Sequence, residues 1–225
     1  MKLYYSPAST ASLPIVLFCA EQAIPLELSL IDLMTGQQKS PDYLKLNPWG
    51  LVPVLDDDGF VLTESSTILK YVADKVASRA YPRELRARAT VNERMDWINT
   101  EVYRELGYQF VYPQILPHHA RSPETVQNAT LTRGRERACR ALGILDRHVI
   151  GDHAYLCGDA LTIADYFAAQ ILHVGSLVGA SYDAYPNLAR WHATMKALPH
   201  WQPVNEVYDG MGASLSSKTF LSLSA

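Results

Sequence analysis

A chain of 225 residues with 48% hydrophobic and 19% charged side chains can bury a substantial core without disulfide staples. Its net charge of −3 argues against a broad basic surface for nucleic acid or anionic lipid. The three cysteines, Cys19, Cys139 and Cys157, are odd in number and form no C-x-x-C, and no secretory apolar run follows Met1, so a reducing cytoplasmic setting is expected.

Leu3 to Tyr5 and Glu27 to Ile31 carry strand character. Between them Ile15 to Ala20 is a compact apolar helix ending before Pro25, which predicts a βαβ unit. Ser40-Pro41-Asp42 has the capping serine, early proline and early acid of a helix start, predicting a short helix to about Leu46. Pro53 has no N–H to give a ladder, so between Val52 and Val54 it marks a strand edge, a bulge or a cis bond. The last of these would turn the Val52 backbone outward, where an extended peptide-like ligand could pair with it. Val52 to Leu55 and Phe60 to Leu62 flank an Asp58-Gly59 hairpin signal, and Ser65 to Val76 places Ile68, Leu69, Val72 and Val76 at helical spacing.

Residues 77–85, with Pro82 and two arginines, read as a linker. Helical stretches follow from Leu85 to Val111, Pro123 to Ile150, Thr162 to Val178 and Leu188 to Leu198. Thr162-x-x-Asp165 is a capping-box signal, worth about 1 kcal/mol and pointing to folding rather than chemistry. The most apolar stretch, 163–180, is interrupted by Asp165 and His173, so no membrane span is expected. Past Asn205 the chain turns Gly- and Ser-rich, which allows either a disordered tail or a lid over 206–225. His118 and His119 are sequence neighbours and no histidine pair has metal spacing, so no metal is expected. Arg133, Arg137 and Arg140 share a helical face and read as solvated.

Five blocks in order carry a resemblance. They are Tyr4-Tyr5-Ser6-Pro7-Ala8-Ser9, Ile31 to Lys39, Asn47-Pro48-Trp49-Gly50-Leu51-Val52-Pro53, Leu62-Thr63-Glu64-Ser65, and Gly158 to Asp165. Over about residues 2–205 the chain resembles the cytosolic glutathione transferases, most nearly their theta and delta forms. The resemblance implies an α/β N-terminal thioredoxin-like domain (1–76), the linker at 77–85, and an all-α C-terminal domain (86–205). It also implies a homodimer, glutathione as co-substrate with no cofactor, and transfer of the glutathione thiolate to small apolar electrophiles. A non-catalytic glutathione-binding protein, or a glutathione-dependent peroxidase, isomerase or dehalogenase, could use the same fold.

The resemblance puts Ser9 at the position of the activating serine, as hydrogen-bond donor to the thiolate. Ser12 and Tyr5 are its rivals, although Ser12 stands where it would cap the first helix and Tyr4 and Tyr5 alternate within a strand. Thr10 and Ala11 stand where other members carry a cysteine, which argues against a mixed-disulfide mechanism. For glutathione, Val52 and Pro53 would face the cysteinyl unit, while Glu64 and Ser65 at a helix start suit the γ-glutamyl ammonium and carboxylate. Gln38 and Lys39 could reach the glycyl carboxylate. Ser66 and Gly50 depart from residues common in delta-like members. Of the rings at Trp97, Tyr103, Tyr108, Phe110 and Tyr112, most read as core, with Tyr103 and Tyr112 as candidates for the electrophile pocket.

Overall fold

The computed structural model describes residues 1–223. Four strands form one mixed sheet: β1 (Lys2–Tyr5), β2 (Glu27–Leu30), β3 (Val54–Asp57) and β4 (Phe60–Thr63), in the order β2-β1-β3-β4. β1 pairs in parallel with β2 across α1 (Leu13–Glu21), and antiparallel with β3, which forms the Asp58-Gly59 hairpin with β4. Gly59 turns at φ 90°, a conformation that glycine adopts without a Cβ penalty. α2 (Pro41–Leu46) and α3 (Ser65–Lys75) complete this unit. β3 begins two residues later than the apolar run suggests, because Pro53 has no donor for the ladder.

Helices make up the remainder. α4 (Leu85–Trp97) runs straight into a π-wound stretch, Ile98–Val111, and ends in the short α5 (Tyr112–Ile115). α6 (Glu124–Ile144), α7 (Ile163–His173), α8 (Pro186–Lys196) and α9 (Trp201–Ser214) follow. α9 carries the helical region beyond the composition change at Asn205. Trp201, Asn205 and Tyr208 are buried at helical spacing, and that packing overrides the helix-weakening Gly210 and Gly212. The following chain lies on the helices rather than free. Leu221 N–H donates to Gln114 Oε1 at 2.7 Å and Leu223 is buried, while residues 224–225 of the tail lie outside the described residues.

One hydrophobic core runs from Leu3, Phe18 and Ile68 into Met95, Leu106 and Tyr166, so the two units share a common apolar core. The Phe18 and Tyr166 rings meet edge-on at 5.4 Å. Asp165 is the buried polar hub. Its Oδ1 accepts from Leu156 N–H and Trp191 Nε1, and its Oδ2 from the Thr162 N–H and hydroxyl, all at 2.9 Å. Among the described residues no helix is long and apolar enough to cross a membrane.

Candidate functional site

The register of the sheet gathers the candidate segments. Tyr4 pairs with Val54 and Val54 with Thr63, so the turn after β1, the approach to β3 and the exit from β4 all emerge at one end. β2 runs parallel to β1 and sends residues 31–40 out there too. This end holds Ser9, Gln38, Lys39, Val52, Pro53, Glu64 and Ser65.

Ser9 sits at the head of α1. Its N–H donates to the Ser6 carbonyl at 3.1 Å, and its own carbonyl accepts from Ser12 and Leu13 at 2.9 and 3.2 Å, which fixes the backbone. The Ser9 side chain is half-buried, and among the described residues its hydroxyl has no partner. Ser12 is fully buried and makes no capping bond from its side chain. Its Oγ accepts instead from Ser6 N–H at 3.4 Å, so this serine braces the turn from inside. Tyr4 turns its ring onto Tyr43 at 6.4 Å while Tyr5 packs on the opposite, main core. Cys19 lies inside α1, where burial pushes its thiol up to about 12, far from a reactive thiolate.

The Val52-Pro53 bond is cis, and Val52 lies outside the ladder that begins at Val54. Two side chains hold the preceding carbonyl: Tyr43 Oη and Asn47 Nδ2 both donate to Leu51 O at 2.8 Å. Asn47 also accepts from Trp49 N–H through Oδ1 at 3.1 Å and from Gly50 N–H through its carbonyl at 2.8 Å. Sequence reading treated Asn47 as part of a motif and missed this role, as it missed Tyr43.

Gln38 and Lys39 lie directly against this loop. Lys39 Nζ donates to the Trp49 carbonyl at 3.0 Å, and Gln38 Oε1 is buried with no partner among the described residues. Gly50 makes the approach possible. It adopts φ +61°, and a Cβ there would stand 2.8 Å from both the Gln38 carbonyl oxygen and Lys39 Cδ. Gly50→Ala should therefore cost about 1–3 kcal/mol through the left-handed backbone and the backbone contact together. Urea unfolding checks this, and an unchanged midpoint with an unchanged slope would contradict it.

At the third segment Glu64 has φ +67°, an unusual conformation for a non-glycine residue, and its carbonyl accepts the Ile68 N–H at 2.9 Å. Its carboxylate is exposed. Ser65 opens α3, and its Oγ is buried without a partner among the described residues, beside the helix's free N–H groups.

Across from this end stands an aromatic cluster of the helical unit. Tyr108 lies 5.0 Å from Tyr103 and 5.3 Å from Tyr112, and His119 lies 5.6 Å from Tyr108 and 5.4 Å from Tyr112, as ring centroids. Tyr108 is the open ring at 42% exposure, whereas Tyr103 is only 9% exposed and Phe110 is core. Burial raises the Tyr108 phenol, and the Glu64 carboxylate adds to that, so the aromatic cluster and the α3 start are electrostatic neighbours. Tyr103 and Tyr112 turn their hydroxyls onto Thr10, at 3.2 and 3.1 Å, and onto each other at 2.8 Å.

Elsewhere, the Glu105 carboxylate is buried and takes Arg104 at 2.9 Å and Arg137 at 3.3 Å, so Arg137, although its side chain is solvated as expected, also pairs with a buried carboxylate. No group of three or more His, Cys, Asp or Glu among the described residues could hold a metal ion.

The chain is similar to known proteins in sequence and fold. The glutathione S-transferase N-terminal domain matches residues 8–75 and the glutathione S-transferase C-terminal domain matches residues 110–199. Human glutathione S-transferase theta-2 is 32% identical over 201 residues, covering 88% of this chain and 81% of that protein. Bovine glutathione S-transferase theta-1 is also 32% identical, over 88% of this chain and 82% of its own length. Among solved structures, a delta-class glutathione transferase of Nilaparvata lugens superposes with a TM-score of 0.82 at 30% identity, covering 96% of this chain and 98% of that one. A human theta-class enzyme, in complex with the glutathione conjugate of 1-menaphthyl sulfate, superposes with a TM-score of 0.81 at 30% identity, covering 97% and 91%.

Proposed function

The chain belongs to the glutathione S-transferase family, transferases that take glutathione as co-substrate, and from that premise we propose that Ser9 activates the glutathione thiol for attack on small apolar electrophiles. The thiol gives its proton to solvent. The sulfur lone pair then forms the new bond to the electrophilic carbon, and the leaving group departs with the old bonding pair.

A free thiol has a pKa near 8.5, so only a few per cent is thiolate at pH 7. Lowering it by about two units takes roughly 2.7 kcal/mol. One hydrogen bond to a charged acceptor contributes about 1.5–3 kcal/mol, and the N-terminus of α1 about 0.3–1. The unpartnered Ser9 hydroxyl at the head of α1 can supply the first, and the helix start the second.

Glutathione lies along the same sheet end in this reading. The Val52 backbone beside Pro53 pairs with the cysteinyl unit, Glu64 meets the γ-glutamyl ammonium, and Ser65 with the α3 N–H groups takes its carboxylate. Gln38 and Lys39 take the glycyl end. The observation that carries this is convergence at one end of the sheet: the register brings together the Ser9 turn after β1, the Val52 backbone outside the ladder before β3, and Ser65 at the start of α3. Residues 1–76 thus hold glutathione, 77–85 link, and 86–205 hold the electrophile, with Tyr103 and Tyr112 as the floor of its pocket and Tyr108 and His119 as the open wall.

Ser65→Ala should raise KM for glutathione about tenfold with kcat within about twofold, the pattern of lost ground-state binding. Unchanged KM in a conjugation assay with an activated aryl halide would contradict the assignment. The homodimer reading is supported by apolar side chains exposed on the N-terminal unit: Trp49, Leu51, Phe60 and Val61. Three free cysteines fit a reducing cytoplasm.

A further inference from the structure

Ser9 can serve a thiolate only if its hydroxyl is held on one spot, yet among the described residues its side chain makes no hydrogen bond of its own. Its neighbour is the opposite case. Thr10 is 2% exposed, and its hydroxyl closes a three-membered ring with those of Tyr103 and Tyr112, at 3.2, 3.1 and 2.8 Å. Three hydroxyls carry three protons, so each can donate once and accept once around the ring, and such closed chains strengthen one another. We propose that Thr10, Tyr103 and Tyr112 are positioning residues that fix the Ser9 turn from the helical unit. This rests on the reading of Ser9 as the thiolate donor.

Two features of the helix show that the ring is built into the fold. Tyr103 and Tyr112 are nine residues apart, which is two and a half turns of an α-helix and would send them to opposite faces. The stretch Ile98–Val111 is π-wound, and the Tyr112 N–H donates to the Gly107 carbonyl. At roughly 4.4 residues per turn of an i→i+5 helix, nine residues make two turns, and both rings share a face. Gly107 then seats the Tyr103 ring: a Cβ there would come within 2.7 Å of Tyr103 Cδ2. Burial raises both phenols well above their ordinary value, so the ring stays protonated and neutral while the thiol titrates. Thr10 itself is no rival donor to sulfur, since its hydroxyl is buried and already engaged twice.

The test titrates the ultraviolet absorbance of the thiolate in the enzyme–glutathione complex for Ser9→Ala, Thr10→Val, Thr10→Ser and Tyr112→Phe. Thr10→Val and Tyr112→Phe should each raise the apparent pKa of the bound thiol by about half to one unit. Below that pKa, kcat/KM should fall about three- to tenfold while the glutathione Kd stays within about twofold. Thr10→Ser, which keeps the hydroxyl, should return both readings to the parent values. A role in packing alone would lower the thermal midpoint and leave the thiol pKa in place. Tyr112→Phe keeps the ring and its contacts and decides the matter where Thr10→Val melts early. An unshifted pKa in both Thr10→Val and Tyr112→Phe, with a raised one in Ser9→Ala, overturns the positioning role alone. An unshifted pKa in Ser9→Ala overturns the thiolate-donor reading beneath it.

Discussion

Ser9→Ala should lower turnover by roughly ten- to a hundredfold while leaving glutathione affinity nearly unchanged. The size follows from what the hydroxyl is asked to do. Its hydrogen bond to sulfur strengthens as the thiolate forms, so losing it costs about 1.5–3 kcal/mol of anion stabilisation, or about one to two powers of ten in thiolate. Affinity is spared in the proposed binding mode, which holds the peptide through the loop before β3 and the start of α3. Steady-state kinetics at pH 6.5 and at pH 9 separate the effects. The deficit should shrink at the higher pH, where the free thiol ionises without help. Equal activity at both values would move the donor role away from Ser9, and the buried Ser12 is a poor successor because its Oγ already accepts from Ser6.

Asp165→Ala should destabilise the fold by about 3–5 kcal/mol and lower the thermal midpoint by at least roughly 6 °C. The carboxylate is fully buried and accepts four hydrogen bonds, from Leu156, Thr162 twice and Trp191. Alanine would leave two backbone N–H groups and an indole N–H without an acceptor in the core between α7 and α8. Asn keeps one acceptor oxygen, so Asp165→Asn should lose about half as much. KM for glutathione in the folded fraction should stay within about twofold, because the residue lies in the helical unit away from the sheet end. A midpoint within about 2 °C of the parent for Asp165→Ala would contradict this account of the hub.

The contrast between these residues shows what a sequence carries. The βαβ unit, the Asp58-Gly59 hairpin and the α3 stripe were legible because each is a local signal: turn chemistry, or apolar residues at the spacing of one element. The segments of the candidate site were legible as motifs, and the sheet register then explains why they emerge at one end. Asn47 and Tyr43 were not, since what matters is the carbonyl they share at Leu51, four and eight residues away in a loop of no regular period. Thr10 was set aside as a missing cysteine. Its partners lie 93 and 102 residues away, on a helix whose π winding breaks the 3.6-residue rule by which faces are assigned. α9 was hidden by Gly210 and Gly212, although Trp201, Asn205 and Tyr208 carried its buried face. Ser12 does stand at the N-cap of α1, but its side chain makes no capping bond, because the Ser6 N–H, not the helix, reaches its hydroxyl.

Diffraction from crystals soaked with glutathione measures the central geometry directly. The sulfur should lie within hydrogen-bonding reach of Ser9 Oγ with the Val52 backbone alongside the cysteinyl unit; a sulfur resting on Tyr5 or Ser12, or turned away from the β1 turn altogether, would contradict it.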